Sequence, residues 1–172
     1  MSLEQFISVL QAFKRHRAGG RGLSAFSELD YLRLIQSFVS AKFQCSCWFG
    51  GSLALYLQGR RETYGDVDLL TDRMFSPGDL PWRIENDRGL NLKSRELELD
   101  LFFRRDEEHL AILEMSKARI IEVDGLWVQD ADFVENVNWC WSQGKDDKPR
   151  QCREPDERVL QALLDALGLH AV

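Results

Sequence analysis

The stretch Arg95 to Phe103, RELELDLFF, constrains the architecture more than any other part of the chain. Successive side chains of a strand point to opposite faces, so Glu96, Glu98 and Asp100 share one face and Leu97, Leu99 and Leu101 share the other. A strand with a purely leucine face belongs to a sheet covered on that side. Two candidate covers lie upstream. Phe6, Val9, Leu10 and Phe13 form an apolar stripe on a helix that Ser2 can cap. After a break at Gly19, Gly20 and Gly22, a second helix carries Leu29, Leu32, Ile35 and Val39 on one face, with Ser24 as its expected cap. At 172 residues the chain has room for one main core.

Cys45 to Phe49 (CSCWF) is short, apolar and aromatic, and it runs into Gly50-Gly51-Ser52 and a helical stretch from Leu53 to Leu57. Asp66 to Leu70 (DVDLL) reads as the next strand. The turn-rich segment from Asp72 to Asp87 is expected to be irregular or to hold one short helix, and Leu90 to Lys93 is the expected hairpin partner of the Arg95 to Phe103 strand. Glu107 to Ser116 is helix-like. Ile120 to Val123 and Leu126 to Gln129 flank Asp124-Gly125, the strongest short hairpin signal in the chain. Asp130 or Asp132 can cap a helix through Phe133, Val137 and Trp141. A polar stretch, Gln143 to Arg153, then leads to a last amphipathic helix with Pro155 in its first turn and Leu160, Leu163, Leu164 and Leu167 on one face. The pattern predicts an α+β fold with a mixed sheet flanked by helices, an N-terminal helical pair and a C-terminal helix.

Chemistry concentrates in two places. Asp66 and Asp68 flank Val67, so on a strand they project from one face about 6 to 7 Å apart. If Asp100 stands on a neighbouring strand, three carboxylates converge, and hard oxygen ligands suit Mg²⁺, whose shell substrate phosphates commonly complete. Glu98 lies on the same expected face as Asp100 and is the alternative third carboxylate. Upstream, Gly50-Gly51-Ser52 occupies a strand-to-helix junction, where bare glycines let a phosphate approach the backbone and a serine hydroxyl adds a hydrogen bond.

In this combination the run WFGGSLALYLQGRRETYGDVDLL, Trp48 to Leu70, resembles the signature of the nucleotidyltransferase superfamily typified by DNA polymerase beta, most closely its small bacterial members. The looser layout to the C-terminus is similar to aminoglycoside and lincosamide nucleotidyltransferases and to toxin-type nucleotidyltransferases. The resemblance spans about residues 43 to 165 and implies a nucleotidyltransferase domain over 43–172, with residues 1–42 as helices packed on it. It further implies that Gly50, Gly51 and Ser52 bind the phosphates of a nucleoside triphosphate, with ATP the expected co-substrate. Asp66 and Asp68 are implied as ligands of two Mg²⁺ ions, and Asp100 as the third carboxylate and general base. The implied reaction is transfer of a nucleoside monophosphate to a hydroxyl of a small molecule, of which antibiotics are one class.

The sequence departs from the family in two places. Small members usually carry a lysine or arginine in the helix after the last strand pair, whereas VENVNWCW has none before Lys145. Lys148, Arg150, Arg60 and Arg61 are the candidate replacements. Gly65 stands before the Asp-x-Asp where relatives often have a polar residue.

Composition bears on partners. Lys plus Arg total 22 against 28 Asp plus Glu, a net charge of −6, which disfavours duplex nucleic acid and suits a cationic acceptor. A basic surface built from Lys14, Arg15, Arg17 and Arg21 with Arg104 and Arg105 would instead favour a toxin-type enzyme acting on transfer RNA or protein, and a degenerate, non-catalytic binding module is the third reading. No signal-like segment or membrane span is expected. Cys45, Cys47, Cys140 and Cys152 lack CxxC spacing and read as reduced structural thiols, so a cytoplasmic location is expected. Trp48, Trp127, Trp139 and Trp141 are expected in the core or a pocket wall, and His109 on a helix surface.

Overall fold

The computed structural model describes residues 1–23, 25–72, 83–84, 92–93, 99–102 and 117–142, with backbone alone at 83–84, 92–93, 100, 102 and 139–142. In chain order the elements are α1 (Leu3–Arg17), α2 (Glu28–Phe43), β1 (Cys47–Phe49), α3 (Gly51–Leu57), β2 (Val67–Thr71), β3 (Arg83–Ile84), β4 (Leu92–Lys93), β5 (Leu99–Phe102), β6 (Ile120–Val123), β7 (Leu126–Gln129) and α4 (Ala131–Ser142). The fold is α+β. A five-stranded sheet runs in the order β5-β2-β1-β7-β6, and β3 and β4 form a separate two-stranded ribbon. The large sheet is mixed: β2 pairs with β5 and β1 with β7 in parallel, while β1–β2 and β6–β7 are antiparallel.

Both N-terminal helices start on reciprocal caps. Ser2 accepts from the Gln5 N–H, and the Gln5 side chain accepts from the Ser2 N–H. The second helix starts at Ser27, not Ser24, because Asp30 stands three residues on and completes the same box. Hydrogen bonds from the Ser27 hydroxyl and backbone hold the Asp30 carboxyl below its ordinary range, with Arg33 adding to the effect.

The core forms where these helices meet one face of the sheet. Phe6, Leu10 and Phe13 of α1 and Leu32, Ile35 and Val39 of α2 are buried with Phe49, Val67, Leu69, Leu99, Leu101, Leu126 and Val128. Each such side chain contributes about 1.5–3 kcal/mol on burial. Gln36 is the buried polar residue that ties α2 to the sheet: its amide donates to the carbonyls of Cys47 (3.2 Å) and Trp127 (2.9 Å), and its carbonyl accepts from the Trp127 N–H (3.0 Å). Cys45 and Cys47 are buried thiols, and burial pushes the Cys47 thiol up to about 12.

The hairpin forms as expected, with Asp124 and Gly125 at φ 50° and 77°, the two left-handed residues of a type I′ turn. Asp130 caps α4 by accepting from the Asp132 N–H.

Two expectations are corrected. The segment from Asp72 to Asp87 contains a strand, β3, whose Arg83–Ile84 pairs with Leu92–Lys93; most of the expected hairpin between Leu90–Lys93 and Arg95–Phe103 lies outside the described residues. The alternating strand lies parallel to β2, in the register Val67↔Leu99 and Leu69↔Leu101, which extends the apolar face under the helices. Trp127 is 52% exposed, whereas Trp48 is buried. The expected helices over Glu107 to Ser116 and after Pro155, with Cys152 and His109, lie outside the described residues. No helix among the described residues is long and apolar enough to cross a membrane.

Candidate functional site

Along β2 the buried positions are Val67, Leu69 and Thr71, directed to the helical side, and Asp68 and Leu70 alternate with them. The antiparallel register Trp48↔Leu70 and Phe49↔Leu69 brings the end of β1 to the level of Asp68, where the Gly50 N–H donates to the Asp68 carbonyl at 3.0 Å. On the other side of β2, Asp68 is in register with Asp100 of β5. Neighbouring strands lie about 4.8 Å apart. The sheet therefore aligns Asp100, Asp68 and Gly50 in one row, although Gly50 and Asp100 stand 50 positions apart in the sequence.

The glycine turn is built against the Asp68 side chain. Gly51 opens α3 at φ +55°, and a Cβ placed there would stand 2.0 Å from Asp68 Oδ2 and 3.0 Å from its Cγ. The carboxylate thus rests on the bare α-carbon of Gly51. A Cβ at Gly50 would meet Leu70 Cδ1 and Gln129 Oε1, both at 2.4 Å, so this first glycine of the pair admits the buried Gln129 side chain beside the turn. Ser52 does not stand apart from the Asp-x-Asp: its Oγ accepts from the Gly65 N–H at 3.2 Å, which joins α3 to the residue before Asp66. Asp66 and Asp68 are both half-buried.

The loop that leads into Asp66 is held from the N-terminal helices. Arg17 Nη2 donates to the carbonyls of Tyr64 (3.0 Å) and Gly65 (2.7 Å), and its guanidinium lies 4.2 Å from the centre of the Tyr64 ring. The Tyr64 hydroxyl donates to one oxygen of Glu28, and the Tyr56 hydroxyl of α3 donates to the other at 3.1 Å. Burial, then the hydrogen bond to Glu28, pushes the Tyr64 phenol above its ordinary range. Next to this clamp, Arg61, Glu62, Thr63, Tyr64 and Gly65 line an open groove of about 480 Å³.

Of the candidate phosphate cations, Arg60 is paired with Asp132 at the start of α4 (3.0 Å). Arg61 is exposed at the groove, and Lys145, Lys148 and Arg150 lie outside the described residues. Arg17 is engaged with the loop before Asp66, which removes it from the basic surface considered above; Arg104 and Arg105 lie outside the described residues.

The donor set fits a hard divalent cation: carboxylates alone, with no thiolate or imidazole among the named ligands. Among the described side chains no group of three or more His, Cys, Asp or Glu is gathered in a metal-ligand cluster. Asp66 and Asp68 supply two carboxylates, and of Asp100 only the backbone is described.

Sequence reasoning missed Arg17, Glu28, Tyr64 and Gln129 as residues of this region. Arg17 lies 47 and 48 positions from the carbonyls it holds, and nothing local links them. The one available signal was the position of Tyr64 directly before Gly65-Asp66. Compared with known protein families, curated proteins and solved structures, the chain has no match.

Proposed function

We propose that this chain is a Mg²⁺-dependent nucleotidyltransferase of the DNA polymerase beta-like type, transferring a nucleoside monophosphate from a nucleoside triphosphate, ATP in the first instance, to a hydroxyl of a small acceptor. One observation carries the reading: the Asp68 carboxylate rests on the Gly51 α-carbon while Asp68 stands in register with Asp100, so the predicted phosphate turn and the predicted carboxylates belong to one place.

In this reading Asp66, Asp68 and Asp100 hold the metal. Mg²⁺, when bound, neutralises the triphosphate and stabilises charge on the attacking and leaving oxygens. The Gly50-Gly51 backbone admits the phosphates closely because neither residue carries a side chain, and the Ser52 hydroxyl, which accepts from Gly65, keeps its own proton available for donation. Asp100 takes the proton of the acceptor hydroxyl. The acceptor oxygen forms a bond to the α-phosphorus, the α–β anhydride bond breaks, and pyrophosphate leaves. Such chemistry depends on positioning and electrostatics more than on covalent participation by the protein.

The net charge of −6 supports a cationic acceptor of the amino-sugar type, antibiotics included, over a polyanion. The buried thiols of Cys45 and Cys47 accord with a cytoplasmic setting. The test is Mg²⁺-dependent pyrophosphate release over a panel of nucleotides with aminoglycoside and lincosamide acceptors. Turnover that requires Asp66 and Asp68 supports the proposal. Nucleotide binding without small-molecule turnover favours a macromolecular acceptor, and neither binding nor turnover favours a non-catalytic module.

A further inference from the structure

We infer that Arg17, on the N-terminal helix α1, is a positioning residue of the candidate site, fixing the bend through which the chain enters the Asp66–Asp68 strand. The inference rests on the reading of Asp66 and Asp68 as metal ligands.

In an extended strand successive carbonyls point to opposite sides. The carbonyls of Tyr64 and Gly65 instead converge on one nitrogen, Arg17 Nη2, at 3.0 and 2.7 Å, so the backbone turns there and the guanidinium holds the turn. The same residue is held from the opposite end of its polar backbone, since the Gly65 N–H donates to Ser52 Oγ. Gly65 is exposed, and nothing lies within 4 Å of the Cβ it would carry, so packing does not fix it. A glycine so placed is the most mobile kind of residue. Its two hydrogen bonds, one from α1 and one to α3, are what restrain it. The next residue is Asp66.

The anchor is itself secured. The Arg17 guanidinium stacks over Tyr64 at 4.2 Å, and the Tyr64 hydroxyl and that of Tyr56 share the Glu28 carboxylate. Helices α1, α2 and α3 are thus joined through one loop, with the metal-ligand strand as its continuation. The N-terminal helical pair, which the sequence presents only as a cover for the sheet, therefore also sets the height at which Asp66 leaves the loop. Lysine reproduces the charge but not the planar fork or the stacking, and glutamine keeps a donor without charge.

The test uses the full chain and Mn²⁺ as the probe, with free Mn²⁺ followed by electron paramagnetic resonance at a temperature well below every melting point. The expected result is that Arg17→Ala weakens Mn²⁺ binding by about tenfold to a hundredfold, the range seen when an outer partner of a ligand is removed. Arg17→Lys should recover part of the loss. Amide exchange at Gly65 and Asp66 should accelerate in the alanine variant while the β1 and β7 amides keep their protection. A purely structural role would lower the melting point and leave the titration unchanged. If Arg17→Ala fails to fold, Arg17→Gln and Arg17→Lys carry the comparison. Folded Arg17 variants that bind Mn²⁺ like the wild type overturn this inference alone. Wild-type protein that binds no Mn²⁺ overturns the metal reading first, and this inference with it.

Discussion

Replacing Gly51 by alanine separates backbone strain from the contact with Asp68. Gly51 has φ +55°, in the left-handed region, where an L-residue costs about 1–2 kcal/mol. Alanine returns about 0.4–1 kcal/mol by restricting the unfolded chain, so strain alone predicts a loss of about 1 kcal/mol. The Cβ would also lie 2.0 Å from Asp68 Oδ2, and opening that gap to a tolerable contact moves the carboxylate by about 1 Å or more. Overpacking of this kind adds about 1–3 kcal/mol, for a total near 2–4 kcal/mol. Gly59 supplies the control: it closes the same short helix at φ +69° with nothing within 4 Å of its Cβ position, so Gly59→Ala measures strain without collision. Urea denaturation of both variants, and of Gly51→Ala in an Asp68→Ala background, gives the coupling directly. The expected outcome is a larger loss for Gly51→Ala than for Gly59→Ala, with the excess vanishing once the carboxylate is removed. Equal losses for the two glycines, or an excess that persists in Asp68→Ala, would refute the packing of Asp68 on the turn.

Asp66→Asn and Asp68→Asn should each lower nucleotidyl transfer by at least about a hundredfold, the scale seen for loss of one electrostatic stabiliser, and circular dichroism should show an intact fold with a metal-free melting point no lower than wild type. Gln36→Leu removes the acceptor of the Trp127 N–H and the donor to two carbonyls, and a loss of about 2–4 kcal/mol in urea is expected from buried groups left without partners. Tyr64 yields a pH signature. Its phenol is raised in the folded protein, so its contribution is complete below the unfolded value of about 10 and falls by about 1.4 kcal/mol per pH unit above it, because only the unfolded chain releases the proton. Stability curves from pH 8 to 11 should therefore be less steep at the alkaline end for Tyr64→Phe than for wild type, and equal slopes would contradict the burial of this hydroxyl.

Local chemistry was the legible part of the fold. Ser2 before α1, Asp124-Gly125 between two apolar runs, and Leu99 and Leu101 on either side of Asp100 each carry their instruction within a few residues, and each forms as read. The cap at Ser27 was misplaced by three residues because Ser24 is as good a hydroxyl, and only the Asp30 partner separates them. The pairing of β5 with β2 shows a different limit. It is decided by which strand continues the face of Leu99 and Leu101, and Val67 and Leu69 lie some thirty residues upstream, beyond the reach of local patterning. The Arg17 clamp shows the same limit: two carbonyls turned toward one guanidinium are a property of backbone direction, which no residue spacing encodes. The candidate site was legible as a set of parts, Gly50-Gly51-Ser52, Asp66, Asp68 and Asp100. Their arrangement, with the Asp68 carboxylate on Gly51 and the Ser52 hydroxyl on Gly65, comes from the sheet register and from α3.

Arg60 is engaged with Asp132, whereas Arg61 is exposed at the groove before Asp66. Because α4 holds no basic residue through Ser142, the proposed metal would carry most of the triphosphate charge in this account. Nucleotide affinity should accordingly depend steeply on divalent cation.

Calorimetric titration of ATP into the wild-type chain and into Asp68→Asn, each with Mg²⁺ and with excess chelator, tests that dependence without requiring the acceptor to be known. The account predicts binding by wild type with Mg²⁺, a loss of at least about tenfold in chelator, and the same loss in Asp68→Asn whether or not Mg²⁺ is present. Binding that is indifferent to both Mg²⁺ and Asp68, or no binding under any condition, would contradict it.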